Sequence, residues 1–421
     1  MTTLTITGGQ KLNGNITIDT SKNALLPIIA STILTEGVTT LRRVPRITDI
    51  DNLLRILIGQ GITAQWNDGD LTIDTTKINY APVNAEVAAK IRGSIFVMGA
   101  ILGRFGRANI PFPGGCAIGN RPIDLHIQAL RDMGVTIKTN AEALECASPK
   151  NRKSTEIFLD FPSVGATENA IMAAVIGRAR VKITGAAREP EVEDLCNFLN
   201  ACGAMICGQG TSIIIIQGVR ALHGVTYTAI PDRINTGSYM LAVATVGGNV
   251  TLHNVVPSHN ANLISKLRRA GADITVDKDT ITVRASGRLR GFGTVHTAPY
   301  PGFSTDLQSQ LAVAATVAKG DTVITENLFE NRFKYVPNLE KLGAKICEKE
   351  KSIHITGVPK LVAGSETSPA VLAATDLRAG VALVIAGMAA EGRSVVHNAE
   401  LVYRGHAQIE GDLARIGANI Y

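Results

Sequence analysis

Aromatic residues are scarce in this 421-residue chain, where Phe, Tyr and Trp together make up 4%. So few rings, set among scattered Lys and Arg, argue against a stacking platform for nucleic acid, and the net charge of +6 suits acidic small substrates as well. No nucleic-acid partner is expected. Long apolar runs are missing too. The most apolar stretch, Gly380 to Ala390, is bracketed by Arg378 and Glu391 and falls short of the ~20 residues that span a bilayer, so no membrane partner is expected. Met1 to Gly9 has no basic start followed by an apolar core, reads as a first strand rather than a signal peptide, and predicts the cytoplasm. Cys116, Cys146, Cys196, Cys202, Cys207 and Cys347 form no C-x-x-C pair and have no His at ligand spacing. That excludes a recognisable zinc site or disulfide framework, and no metal or other cofactor is expected.

What the chain does have is repetition. A Gly-Ala-x-Ile type tetrapeptide recurs as Gly134-Val-Thr-Ile137, Gly203-Ala-Met-Ile206, Gly271-Ala-Asp-Ile274, Gly343-Ala-Lys-Ile346 and Gly417-Ala-Asn-Ile420, with Gly61-Ile-Thr-Ala64 a weaker sixth. Successive glycines lie 68 to 74 residues apart, the size of a small α/β module. Each copy opens on an apolar, alanine-rich run that predicts a helix: Asn23 to Gly37, Ile91 to Gly106, Ala166 to Arg178, Ile234 to Gly247, Asp306 to Gly320 and Leu377 to Gly392. A short alternating strand follows, as in Val38 to Leu41, then a second, amphipathic helix that ends at the repeated glycine, as Leu263, Leu267 and Ala270 illustrate. Two further strands close the unit. The first helices carry almost no charge and should lie innermost, three units to a domain, with a cleft between the triplets where small-molecule sites prefer to form.

Polar residues interrupt the apolar pattern at two equivalent places. The start of the first helix holds Lys22-Asn23, Arg92, Ser163 with Thr167, Asp232-Arg233, Thr305-Asp306 and Asp376-Leu-Arg378. The loop before the second helix holds Arg42-Arg43, Cys116 with Arg121, Arg188-Glu189, His259, Asn331-Arg332 and Arg404. Helix N-termini present unpaired N–H groups and positive partial charge, so several of them backed by Lys and Arg make a trap for phosphates and carboxylates; the same residues also serve simply as helix caps. Three glycines surround Cys116 in Pro113-Gly-Gly-Cys-Ala-Ile-Gly-Asn-Arg-Pro122. That is either a lid whose thiol is activated by Arg121 or a loop with an incidental cysteine. Pro122 should begin a helix. Asp306 is either a proton acceptor for a substrate hydroxyl or an N-cap. The eight histidines read as surface or packing residues.

At these residues the chain closely resembles the UDP-N-acetylglucosamine enolpyruvyl transferases (1-carboxyvinyltransferases), from Leu4 to the C-terminus. The resemblance rests on Ser21-Lys-Asn-Ala24, the cysteine loop running into Ile123-Asp-Leu-His126, Ser163-Val-Gly-Ala-Thr167, Ala187-Arg-Glu-Pro190, Pro231-Asp-Arg-Ile234, Thr305-Asp306, Phe329-Glu-Asn-Arg332 and Thr375-Asp-Leu-Arg378. It implies an inside-out α/β barrel fold of two domains, each of three βαβαββ units, with residues 1–21 and 230–421 in one domain and 22–229 in the other. The implied reaction moves the enolpyruvyl group of phosphoenolpyruvate to the 3′-hydroxyl of UDP-N-acetylglucosamine and releases phosphate, without a cofactor. That would be the first committed step of peptidoglycan synthesis, bearing on cell-wall biogenesis, cell shape and cell division.

By resemblance Cys116 donates the proton to phosphoenolpyruvate and is the group the epoxide antibiotic fosfomycin alkylates, and Asp306 accepts the hydroxyl proton. Lys22, Arg121 and Arg404 would hold the anionic groups of phosphoenolpyruvate. The nucleotide-sugar contacts match Asn23, Arg92, Arg121, Pro122, Ile123, Asp124, Leu125, Phe161, Pro162, Ser163, Val164, Asp306 and Leu328, with Arg332, Asp376 and Arg378 added to the substrate-binding set. Asn235 departs from the family's usual Glu, and Tyr403-Arg404-Gly405-His406 from its usual Asp-Arg-Gly-Tyr. Arg178-Ala-Arg180 stands where the family has an acidic-glycine turn. These departures leave a second reading, a paralogue that binds nucleotide sugar and regulates a partner with little turnover.

Overall fold

The structure, a computed structural model, describes residues 2–90, 95–112, 123–140 and 142–421. Contacts divide the described residues into two units: one joins those up to Asp19 with Pro231–Tyr421, and the other holds those from Thr20 to Ile230. Each unit is built the same way, with three apolar helices at its centre and sheets outside them.

The central helices of the first unit are Arg233–Val246, Gln308–Thr316 and Leu377–Ala389. They pack on one another, and Leu377 to Met388 is buried without a break. A helix apolar on every side can only be a core helix here, because it has no face to offer water. In the second unit the corresponding helices are Lys22–Ser31, Phe96–Phe105 and Val164–Ala174, the middle one packing on both others. Glycine makes that approach possible. A Cβ on Gly99 would come within 2.4 Å of the Asn169 carbonyl oxygen, and the Gly99 N–H donates to Asn169 Oδ1 at 2.7 Å.

The surrounding sheets share one recipe. Asp321–Thr325 pairs in parallel with Gly293–His296 and antiparallel with Ser352–Thr356, which in turn pairs with Lys345–Lys349. The same one-parallel, two-antiparallel order recurs around Gly248–His253, Val38–Leu41, Arg180–Thr184 and Arg393–His397. In the last of these the missing strand comes from the beginning of the chain: Thr3–Thr7 pairs with Arg393–His397 in the register Leu4 to Val396 and also meets Asn419–Ile420. Burial alternates along the strands, as period-2 side chains require when one face covers the helices.

The repeated glycine has one conformational job. Gly61, Gly134, Gly203, Gly271, Gly343 and Gly417 all have positive φ, between 81° and 105°, so each ends its copy's second helix in the left-handed region where L side chains are strained. The first-helix boundaries are shorter than the apolar runs. Asn23 to Gly37 resolves into the helix to Ser31 and a 3₁₀ turn, Thr32–Leu34. The run from Asp306 begins with the 3₁₀ turn Thr305–Leu307. The run to Arg178 stops at Ala174, and Gly177, at φ 132°, makes the turn assigned in sequence to the basic pair. The helix after the cysteine loop is Asp124–Asp132 with Ile123 at its cap position; Pro122 lies outside the described residues.

Two arginines fasten helix ends that have run out of partners. The Arg152 guanidinium donates to the carbonyls of Ala173, Ile176 and Leu102, at the C-terminal ends of two central helices. Arg288 does the same for Val317 and Ala318, past the helix Gln308–Thr316, and also donates to the Val358 carbonyl beyond the strand Ser352–Thr356. The last carbonyls of a helix lack intrahelical donors and carry negative partial charge, so a planar five-donor cation suits them. Arg152→Met should lower unfolding stability by about 1.5–3 kcal/mol, the worth of hydrogen bonds to a charged group, and Arg152→Lys should recover little of it. Urea midpoints of the three proteins check this.

Candidate active site

In five of the six copies a short polar side chain caps the first helix or the 3₁₀ turn that opens it; Phe96–Phe105, with Ile95 at its N-cap position, has no such bond among the described residues. Ser21 accepts from Ala24 N, Ser163 from Ala166 N, Asp232 from Ile234 N and Asn235 N, Ser304 from Asp306 N, and Asp376 from Arg378 N and Ala379 N. Ser163, Asp232 and Asp376 therefore spend side-chain oxygens on capping. Asp306 does not, because Ser304 holds the cap and Asp306 sits two residues inside it, in the 3₁₀ turn Thr305–Leu307.

Freed from capping, the Asp306 carboxylate lies between two guanidinium groups. Oδ1 accepts from Arg332 Nη2 at 2.6 Å, and Oδ2 accepts from Arg378 Nε at 3.1 Å and Nη2 at 2.9 Å. Arg332 and Arg378 side chains are 4% and 5% exposed, whereas Asp306 keeps 23% of its surface. Two buried cations thus converge on one partly exposed carboxylate. Charge-assisted bonds of this kind fix geometry as well as charge. Arg332 also stacks over Phe329, 5.5 Å from the ring centre.

The segment leading into Arg332 is organised by a residue that no motif announced. Glu326 is 3% exposed; its Oε1 accepts from Thr297 Oγ1 and the backbone N–H groups of Leu328 and Phe329, and its Oε2 from Thr305 Oγ1. One carboxylate therefore positions Leu328 and the residue before Asp306. Arg404 ends the 3₁₀ helix Ala399–Arg404 and is half-buried. Beside it Gly405 lies so close to Leu377 that a Cβ would come within 2.7 Å of Leu377 Cδ2.

In the other unit Lys22 Nζ contacts Asp49 Oδ2 at 3.2 Å, with the Asp49 side chain 4% exposed. A buried carboxylate on the neighbouring helix, Thr48–Ile58, gives this lysine a fixed direction. Asn23 follows it in the first turn, half-buried. Phe161 is exposed, and Pro162, Ser163 and Val164 are half-buried around the Ser163 cap. Thr167 is structural: its hydroxyl donates to Ser163 O at 2.8 Å and accepts from Ala187 N at 3.1 Å. His126 packs against Gly165, where a Cβ would meet Nε2 at 2.7 Å, which sets Ile123, Asp124 and Leu125 next to that cap. Arg92, Cys116, Arg121 and Pro122 lie outside the described residues.

The Val164–Ala174 helix also carries a buried carboxyl without a hydrogen-bond partner. Glu168 is fully buried, neither oxygen has a hydrogen-bond partner, and burial, followed by the charges of Glu191 and Glu189, pushes it well above the usual carboxyl range. Of the five described cysteines, Cys146, Cys196 and Cys202 are buried free thiols, while Cys207 and Cys347 are exposed. Among the described residues no group of three or more His, Cys, Asp or Glu could hold a metal ion, and no helix is long and apolar enough to cross a membrane.

Residues 6–413 match the family model described as EPSP synthase (3-phosphoshikimate 1-carboxyvinyltransferase). The fold is shared with solved structures: the enolpyruvyl transferase NikO from Streptomyces tendae, at TM-score 0.87 and 24% identity, covers 100% of this chain and 98% of its own. EPSP synthase from Acinetobacter baumannii follows at TM-score 0.76 and 20% identity, covering 100% and 99%. Curated relatives are nearer in sequence. UDP-N-acetylglucosamine 1-carboxyvinyltransferase 2 of Caldanaerobacter subterraneus is 42% identical over 99% of this chain and 98% of its own, and the enzyme numbered 1 from the same organism is 43% identical over 97% of each. UDP-N-acetylglucosamine 1-carboxyvinyltransferase 2 of Carboxydothermus hydrogenoformans is 43% identical over 99% and 98%. Near-equal identity to both numbered enzymes of one organism assigns the chain to neither. Full-length identity at this level, on an inside-out α/β fold, places the chain in the family of UDP-N-acetylglucosamine 1-carboxyvinyltransferases, among the enolpyruvyl transferases.

Proposed function

We propose that this chain transfers the enolpyruvyl group of phosphoenolpyruvate to the 3′-hydroxyl of UDP-N-acetylglucosamine, releasing phosphate, and so serves peptidoglycan synthesis. The observation that carries this reading is Asp306, a carboxylate freed from capping and aimed by two buried arginines, in a chain whose relatives bear that enzyme's name over their full length.

The chemistry asks for an acid and a base on opposite sides of the reacting atoms. The sugar hydroxyl oxygen bonds to C2 of phosphoenolpyruvate as its proton passes to Asp306, and the methylene carbon takes a proton from Cys116, giving a tetrahedral adduct. Loss of phosphate and of one proton from the new methyl group then restores the double bond. Both Asp306 oxygens are engaged by guanidinium donors, which fix the direction of the carboxylate. Lys22, directed by Asp49, and Arg404 supply charge for the phosphate and carboxylate. Arg121 belongs to the same anion-holding set by family pattern, as Asn23, Arg92, Ile123 to Leu125, Phe161 to Val164 and Leu328 do to the nucleotide-sugar set. Arg332 and Arg378 act on the substrate through Asp306.

The test is phosphate release. It should appear with phosphoenolpyruvate and UDP-N-acetylglucosamine together and with neither alone. Release with shikimate 3-phosphate instead would reassign the substrate, and no release with the nucleotide sugar would favour a binding paralogue without turnover.

A further inference from the structure

We infer that Asn235 is a positioning residue for Arg404, holding the backbone from which that side chain projects. The inference rests on the reading above only in taking Arg404 as a ligand of an anionic group of phosphoenolpyruvate.

Asn235 Nδ2 donates to the Gly405 carbonyl at 3.2 Å, across 170 residues of chain. The donor end is well fixed, because the Asn235 backbone N–H is itself bonded to Asp232 Oδ1 at 2.9 Å in the capped first turn of Arg233–Val246. Asn235 Oδ1 is buried with no partner. The amide has therefore been oriented for the sake of its donor, since a reversed amide would set oxygen against oxygen. Gly405 is confined from the other side by Leu377, and the N–H groups of Gly405 and His406 both donate to Val402 O at 3.1 Å. Four residues further along the same helix, and so on the same face, Tyr239 packs edge-on against the buried His406 ring with centroids 6.1 Å apart. Tyr239 is anchored in turn by its hydroxyl, which donates to Asp412 Oδ2 at 2.9 Å.

One helix face thus grips the two residues that follow Arg404, Asn235 by a hydrogen bond and Tyr239 by its ring. Asn235 contacts the backbone of Gly405, between Arg404 and the buried His406. An amide can donate to the Gly405 carbonyl; a carboxylate cannot, and would face it with like polarity. Asn235 is the side-chain donor that holds the Gly405 carbonyl.

Equilibrium dialysis of radiolabelled phosphoenolpyruvate and, separately, of UDP-N-acetylglucosamine decides this without turnover. Asn235→Asp keeps the shape and loses the donor, so its Kd for phosphoenolpyruvate should rise on the order of tenfold, and that of Asn235→Ala about threefold. The Kd for the nucleotide sugar should stay within about twofold in both. In an Arg404→Lys background the Asn235→Asp effect should shrink below about twofold, since a residue acting through another is not additive with it. Should Asn235→Asp not fold, Asn235→Ala carries the same comparison. Unchanged phosphoenolpyruvate binding, equal weakening for both ligands, or full additivity with Arg404→Lys would each overturn the inference. Normal phosphate release by the parent chain alongside any of these would leave the transferase reading standing, whereas its absence with Asn235-dependent binding intact would fail that reading alone.

Discussion

Asp306→Asn is expected to lower turnover by about 100- to 10,000-fold, the range for removing a positioned general base, and to destabilise the chain as well. The two effects have different causes. An amide in place of the carboxylate leaves Arg332 and Arg378 buried with no counter-charge. Breaking a buried pair by deleting one partner costs about 3–5 kcal/mol, and the 23% exposure of Asp306 places this case at the lower end. The double variant Asp306→Asn, Arg378→Met separates the effects. It removes one of the stranded cations, including a buried Nη1 that has no partner, so urea unfolding should show part of the stability returning while steady-state phosphate release stays as low as in the single variant. Recovery of activity together with stability would mean that Asp306 matters only for folding.

The second large effect runs the other way. Glu168→Met should make the protein more stable, by about 1–3 kcal/mol, because it removes a buried carboxyl that has no hydrogen-bond partner, and the gain should grow with pH. The folded chain holds the Glu168 proton more tightly than the unfolded chain, because burial first, and Glu191 and Glu189 next, oppose ionisation. Its contribution to folding is therefore greatest below ~4.3, the ordinary Glu pKa, and is lost as pH rises toward the raised folded value. The neighbouring Cys196 thiol, pushed up to about 12 chiefly by burial and next by Glu168, stays neutral through this window. Stability of the two proteins measured at pH 4 and pH 8 should diverge at the higher pH. A constant difference would show that Glu168 carries no linked proton.

The repeat and its glycines were legible because they answer a local need: a left-handed residue ends each second helix, and only glycine fills it cheaply. Burial of the alanine-rich helices was equally legible from their lack of charge. Arg332, Arg378 and Asp306 could be named from their motifs, but not their mutual contact, which joins residues from two copies of the repeat. Nor could sequence tell the cap from the carboxylate beside it. Ser304 and Asp306 are both capping types, and only the backbone path shows that the serine takes the role. Glu326 and Asp49 were missed because they are tied to side chains in distant segments, Thr297, Thr305 and Lys22, a relation that leaves no spacing to read. The end of the Val164–Ala174 helix was misplaced because Arg178 looked like a basic stop while Gly177, one residue earlier, made the turn.

The pairing of the N-terminal strands has a consequence for biosynthesis. Thr3–Thr7 and Leu12–Thr17 leave the ribosome well before their neighbours, which are Arg393–His397, Asn419–Ile420 and Gly248–His253. The unit between Thr20 and Ile230 is drawn from one stretch of chain and can fold while synthesis continues. Leu12–Thr17 meets its partner once Gly248–His253 has been made, but Thr3–Thr7 waits, unpaired, until the segment from Arg393 to Ile420 emerges, after Asp306 itself.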